Sequence, residues 1–435
     1  MPFPDDLEVS IGWEDSPSGI FVLDGSPLDG TDVLAGLGAE QFTGTYDDVS
    51  TDVASGPTIT IGRDNRLAQF QASACTFTLT RTGAPDYYNP NAVAGQSPIA
   101  AVTPGFEPMR PVRVRATVDG TTTQIWYGFI RSASWDSETK LTTIQAEDLF
   151  LWLSRVRPSY TAAQAAAAGV VDVATAIGFL LDEAEFTNPD LRDLGESGKT
   201  GIPITLPDAE GDKTALQIIG EMLTADRGAF WIQGGVATYR ARTYIHERDS
   251  LASIQSEALR IGSGMDLDRI VNRQRVTRTG GTAQVANNIA SQQRYGLADG
   301  SAIDTPYLAD DAEASALAAA VLDTTATPQP PITLTLDNDT LENLERQVVW
   351  KVLDRLTTPV AFDSFVFDVS TFGGDAGFAG TQDYHVERVE QRWSVNGNHA
   401  ETTYTLSRRG LDYLRFGYGQ FGADGATTAS AVFAY

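Results

Sequence analysis

The chain has few of the residues that usually announce chemistry. A single cysteine, Cys75, stands among 435 residues, so no disulfide forms within the chain. The three histidines, His246, His385 and His399, stand apart, and none has a second histidine or a cysteine at metal-ligand spacing, which argues against a zinc site. No apolar run approaches the roughly 20 residues of a membrane helix. The N-terminal MPFPDDLEVS has neither the basic start nor the apolar stretch of a secretory leader. A soluble protein made in the cytoplasm is therefore expected. A G-x-S-x-G nucleophile elbow is also missing: GQSPI at 95–99 lacks its second glycine.

Positive charge is scarce as well. Lys and Arg total 31 against 57 Asp and Glu, which leaves a net charge of −26. Only four of the basic residues are lysines: Lys140, Lys199, Lys213 and Lys351. Tight binding to nucleic acid depends on cations neutralising phosphate, so that class is excluded, and an acidic surface instead repels DNA. Carboxylates are abundant, but Asp47-Asp48, Asp310-Asp311 and Glu387–Glu390 read most simply as solvated faces, turns and helix caps. A glycosidase needs two carboxyls held at a set separation across a cleft, which spacing along a chain does not reveal. The expectation is a protein that is not an enzyme and carries no metal and no cofactor.

One motif pulls the other way. GESGKT at 195–200 resembles a phosphate-binding loop. With Gly198, Lys199 and Thr200 aligned, the first glycine of G-x-x-x-x-G-K-[ST] falls at position 193, which is Asp. An apolar strand should lead in and a helix N-terminus should follow, because the helix end supplies the remaining amides. The lead-in FTNPDLRDL is polar and broken by Pro189, and Pro203 blocks a helix just after. The stretch reads as a solvated loop, with no nucleotide bound.

What is present is strand, turn and a little helix. Forty glycines and 20 prolines separate short alternating runs. Residues 1–155 read as strands: LEVSIGW, ACTFTLT, KLTTIQAEDL, and a hairpin PVRVRATVDGTTTQIWYGFI turning at Asp119-Gly120. In that hairpin Val112, Val114, Ala116 and Val118 face inward and Arg113, Arg115 and Thr117 outward. Residues 82–110 read as a long projecting loop. Residues 156–250 read as an α/β segment. One helix places Val173, Ile177, Leu180 and Leu181 on one face, and a second places Leu216, Ile219, Met222 and Leu223, with Gly228 as its stop. A hairpin then turns at Gly234-Gly235. Residues 251–410 return to strands, including PITLTLDN, VVWKVLDRLTTPV, YHVERVEQRWSV and ETTYTLSRRG. A helix is inserted at 310–324, capped by Asp310 with Glu313 three residues on. Residues 411–435 form a Gly- and aromatic-rich tail. The fold class is α+β and β-rich, with two β domains flanking and joined by a smaller α/β domain.

In this acidic chain one basic island stands out, DLDRIVNRQRVTRTGG, with Arg269, Arg273, Arg275 and Arg278. Arginines on the outer face of a strand suit polar interfaces, within a chain or between subunits. These four are the candidate intersubunit contact.

The ordered pieces resemble the tail-tip hub proteins, or minor tail proteins, of long-tailed bacteriophages, which are related to the baseplate hub of contractile phages. The likeness rests on CTFTLTRTGAPDYYNPNA (75–92), GFEPMRPVRVRATVDGTTTQIWYGFIRSASWD (105–136), TTIQAEDLFLWLSR (142–155) and ALQIIGEMLTADRGAFWIQGGVATYRAR (215–242). It continues through IVNRQRVTR (270–278), SQQRYG (291–296) and YHVERVEQRWSVNGNHAETTYTLSRR (384–409). It spans about residues 7–410. The resemblance implies two tube-like β-barrels in one chain. Three copies would then close a six-fold tail tube with a three-fold ring. It further implies a virion protein at the tail tip, assembled in the bacterial host cytoplasm. Its partners would be two further copies, a distal tail or tube protein, the tape-measure protein and tip or fibre proteins. DNA would pass through an acidic lumen without specific binding. A competing expectation is a cell-wall-degrading or carbohydrate-binding tail component.

Overall fold

The computed structural model describes residues 6–12, 46–63, 70–84, 86–90, 108–118, 121–195, 200–241, 252–254, 260–263, 269–326, 332–337, 364–368, 381–394 and 399–408. The centre of the 82–110 loop, the run VVWKVLDRLTTPV and the 411–435 tail lie outside the described residues, as do the side chains of all three histidines.

Runs of largely alternating residues build the N-terminal strands β1 (Asp6–Gly12), β2 (Tyr46–Asp48), β3 (Val53–Gly62), β4 (Gln71–Leu79), β5 (Pro111–Val118), β6 (Thr121–Trp135) and β7 (Thr142–Glu147). On β5, Val112, Val114 and Ala116 are fully buried. Arg113 and Arg115 turn outward and both pair with Glu8 of neighbouring β1. A period of two dictates this split between core and solvent faces. The strands are antiparallel in the order β3-β4-β7-β6-β5-β1-β2.

The chain's last strands join the same sheet. Following β13 (Ala252–Ile254), β14 (Arg260–Ser263), β18 (Ile332–Asp337) and β19 (Ser364–Asp368) come β20 (Thr381–Ser394) and β21 (His399–Arg408). One edge of β20 pairs with β21. Its other edge takes β19 along Thr381–His385 and β3 along Arg388–Arg392. A strand of 14 residues is long enough to carry both neighbours. Thirteen strands therefore form one sheet, β14-β18-β21-β20-β3-β4-β7-β6-β5-β1-β2, with β19 and β13 branching from β20. The β-rich, α+β class holds. The two separate tube-like barrels do not appear as such: the described strands form one open, continuous path and no closed barrel.

The junction between the two halves is closely fitted. Gly62 ends β3 with φ +131°, and a Cβ there would overlap the Glu387 carbonyl oxygen and the Arg388 Cα. Arg63, next along, donates its backbone N–H to the Glu387 carbonyl at 2.8 Å. Its side-chain Nε donates to Glu387 Oε2 at 2.6 Å, with the two side chains only 8% and 2% exposed. Its guanidinium also lies over Phe70, 5.0 Å from the ring centroid.

At the sheet's exit Asp148 is buried. One carboxyl oxygen accepts the Ser73 N–H at 2.8 Å and the other the Phe150 N–H at 2.9 Å. Trp126 Nε1 donates to the Ser73 hydroxyl at 3.0 Å, so the network reaches back to β6. Burial pushes the Asp148 carboxyl up to about 7.

Beyond it come α1 (Phe150–Leu153), β8 (Ser159–Tyr160), α2 (Ala162–Ala167), α3 (Val173–Glu183), β9 (Arg192–Leu194), β10 (Ala209–Glu210), α4 (Ala215–Asp226), β11 (Ala229–Gln233) and β12 (Val236–Arg240). Thr161, Asp172 and Thr214 start α2, α3 and α4 with reciprocal capping boxes. The expected α3 face, Val173, Ile177, Leu180 and Leu181, is buried, and on α4 Ile219, Met222 and Leu223 are buried while Leu216 is only partly so. Gly228 is not the stop of α4. Arg227 takes the left-handed turn at φ 58°, while Gly228 is needed for close approach to the Arg240 carbonyl and the Tyr239 ring. The β11–β12 hairpin turns at Gly234 and Gly235, both at positive φ, and Gln124 of β6 donates to the Gly234 carbonyl at 2.6 Å.

Residues 269–326 form a small layer of their own. It contains β15 (Arg273–Arg278), β16 (Gln284–Asn287), α5 (Ile289–Tyr295), β17 (Ile303–Thr305) and α6 (Asp311–Thr325), with strand order β16-β15-β17. Asp310 caps α6 by accepting the Glu313 N–H at 2.9 Å. The buried face of α6, Ala314, Leu317, Ala318 and Val321, joins the same apolar core as α3 and α4. Among the described residues no helix is long and apolar enough to cross a membrane.

Candidate functional site

The residues on either side of the GESGKT loop are tied into the fold. A short strand, β9, does lead into it, which its polar composition hid. Asp193 of that strand, at the position where a phosphate loop needs glycine, forms a paired contact with buried Arg240, 2.7 Å at each guanidinium nitrogen. Past the loop, the Thr200 carbonyl accepts the Ala174 N–H at 3.0 Å. The Ile202 N–H donates to Asp226 at 3.0 Å, and Tyr239 donates its hydroxyl to the same carboxylate at 2.6 Å. The next helix does not begin until Ala215. Residues 196–199 lie outside the described residues. Among the described residues no three His, Cys, Asp or Glu side chains converge as metal ligands do.

The basic island is the other candidate, and its geometry follows from period two. Ile270, Asn272, Gln274 and Val276 point inward and are buried. Burying two amides requires satisfying them. Asn272 donates to the Gly296 carbonyl at 2.7 Å and accepts the Ala298 N–H at 2.8 Å. Gln274 donates to the Ser301 carbonyl at 2.7 Å and to the Arg275 carbonyl at 2.9 Å. These contacts fasten the segment after α5 against β15. Neither amide stands out in the sequence, because polar residues at core positions break the apolar pattern that marks a strand.

The four arginines take different settings. Arg273 holds Asp299 through both Nε and Nη2, the latter at 2.6 Å, and this hydrogen bond keeps the Asp299 carboxyl below the usual range. Arg278 donates Nε to Asp311 at 2.8 Å, at the first turn of α6. Asp311 also accepts from the Thr282 hydroxyl at 2.6 Å, and that bond, ahead of Arg278, depresses its carboxyl. Arg269 is exposed, ahead of the strand. Arg275 is exposed and makes no ion pair among the described residues. It lies opposite Val285 of β16, which is exposed as well. The structure thus pairs Arg273 with Asp299 and Arg278 with Asp311 within the chain and leaves Arg275 on the open sheet face.

No family model and no curated protein matches the chain. Its structural neighbours include phage tail proteins. The 43 kDa tail protein of prophage MuSo2 from Shewanella oneidensis superposes with a TM-score of 0.50 at 10% identity, covering 85% of this chain and 96% of that one. The tail protein from Neisseria meningitidis MC58 gives 0.49 at 13% identity, covering 85% and 95%. Prophage tail protein gp18 from Listeria monocytogenes EGD-e gives 0.44 at 9% identity, covering 94% and 97%. At these identities the likeness is one of fold.

Proposed function

We propose that the chain is a structural component of a phage tail, the hub that closes the six-fold tail tube with a three-fold ring at the tip. Its fold, matched over most of its length to a prophage tail protein, supports the tail reading. The observation that carries the hub reading is the junction of β3 with β20. Through it the two strand-rich halves lie side by side in one sheet, so a single chain offers two adjacent segments of tube wall. Three chains would then supply six. Closed rings need complementary head-to-tail surfaces, and the basic island in an acidic chain provides one half of such a pair.

In this role no catalysis, cofactor or nucleotide is needed. The net charge of −26 suits a lumen along which DNA slides without being held. Tube, tape-measure and fibre proteins would be its neighbours.

Immunogold labelling of intact particles, followed by electron microscopy of the tip, tests the assignment. Gold at the tail tip and a three-fold density that fits the chain are expected. Labelling elsewhere on the particle, or none, would overturn it. A basic pore wall in that density would remove the acidic-lumen part alone.

A further inference from the structure

Residues 269–300 contain five arginines, Arg269, Arg273, Arg275, Arg278 and Arg294, and one acidic residue, Asp299. This stretch is formally +4 within a chain of −26. It is also where apolar surface is exposed. Among the described residues four large hydrophobic side chains stand out as exposed, and three of them lie here: Val285 at 53%, Ile289 at 57% and Leu297 at 59%. Val285 faces Arg275 across the β15–β16 ladder. Ile289 opens α5 directly after β16, and Leu297 follows its last turn. Arg294 is exposed between them, its guanidinium 5.2 Å from the Tyr295 ring centroid.

The sheet's opposite face is covered by α6, whose apolar side runs into the shared core. The open face therefore carries Val285, an apolar side chain that folding leaves in water, opposite an arginine without an ion-pair partner among the described residues, and Ile289 and Leu297 are exposed on the helical segment that follows. Apolar residues and arginine are enriched at protein interfaces, where buried charge must meet its opposite. The remainder of this chain supplies the opposite charge in excess.

We propose that this face, centred on Arg275 and Val285 with Ile289 and Leu297 beside them, docks on an acidic surface of a second copy of the chain. The inference rests on the ring reading above and narrows it. Arg273 and Arg278 serve the fold through Asp299 and Asp311, and Arg275 makes the contact between copies. Such a contact is head to tail, so it closes a ring or propagates a filament.

The test is sedimentation velocity of the full chain across a concentration series, with Arg275→Glu combined with Val285→Glu. Wild type should self-associate, more weakly as salt screens the pairing. The double variant should associate roughly tenfold or more weakly at an unchanged melting temperature. Should the strand variant unfold, Leu297→Asp, placed outside the strands, reads the same face. Association of the folded variants within about twofold of wild type would overturn the proposal. So would a wild-type chain that stays monomeric at its highest soluble concentration. Gold labelling of particles reports on the tail assignment separately. A labelled tip with unaffected association removes this face and leaves the hub standing.

Discussion

The β3–β20 junction and the basic layer use arginine in opposite ways. At the junction Arg63 is buried, faces Glu387 at 2.6 Å and lies over Phe70. In the basic layer Arg275 is exposed, with an apolar neighbour and no ion pair among the described residues. A buried arginine is fixed by the fold and is costly to disturb. An exposed one costs the monomer almost nothing, so its value must be sought between molecules. The contrast separates residues that hold the chain together from residues available to a partner. It also explains why charge counting along the sequence cannot rank them.

The largest effect should come from removing one side of the buried pair. Glu387→Ala leaves the Arg63 guanidinium inside the sheet without that carboxylate. Breaking a buried pair this way typically costs about 3–5 kcal/mol, because the remaining charge has lost its compensation. Urea unfolding should register it as a lower midpoint. Hydrogen exchange should show β3 and β20 losing protection ahead of β5 and β6. A loss of unfolding free energy below about 1 kcal/mol would mean that the halves are held chiefly by the strand ladder.

Asp148 sharpens the same comparison, since it is a buried acid that makes no ion pair among the described residues. In the unfolded chain its carboxyl releases a proton near the ordinary 3.8, whereas in the fold burial holds it to about 7. Between those values the unfolded state alone gives up a proton. Stability from this group is complete below about pH 4, falls as pH rises and levels off above about 7. The displacement corresponds to about 4 kcal/mol at most. Asp148→Asn cannot titrate, so its stability between about pH 4 and 8 should lack this fall. Unfolding midpoints of both proteins across that range decide the matter. Parallel curves would show that Asp148 titrates normally.

Much of this was legible in the sequence. Alternation in PVRVRA marked the buried Val112, Val114 and Ala116, and the paired glycines 234 and 235 marked the turn of the β11–β12 hairpin. Asp310 with Glu313 announced the start of α6. These signals are local: period, cap and turn all act within a few residues. The junction was not legible, because Arg63 and Glu387 are 324 positions apart and nothing near either one names the other. For the same reason the joining of the two strand-rich halves in one sheet among the described residues could not be read from local pattern. In the basic island the residue types were visible but their partners were not. Asp299 lies 26 positions from Arg273, and Asp311 lies 33 from Arg278. The fold class came from local pattern. The separation of Arg273 and Arg278 from Arg275 came only from long-range pairing.

The smallest effect is expected at Arg278, and it tests that division from the structural side. Its partner Asp311 sits in the first turn of α6, where the helix end already favours a carboxylate, and Thr282 also holds that carboxylate through its hydroxyl at 2.6 Å and its backbone N–H. Removing the arginine therefore leaves the acid hydrogen-bonded. An ion pair this open to water contributes little by itself. Arg278→Ala should lower the melting temperature by about 1 °C or less, and Thr282→Ala should lower it further, reversing the order that charge alone would give. Self-association of Arg278→Ala should match wild type, whereas Arg275→Glu, equally harmless to folding, should weaken it. If instead Arg278→Ala dissociates the copies, the arginine already paired within the chain is also the one that meets its neighbour, and structural and available arginines are not distinct sets.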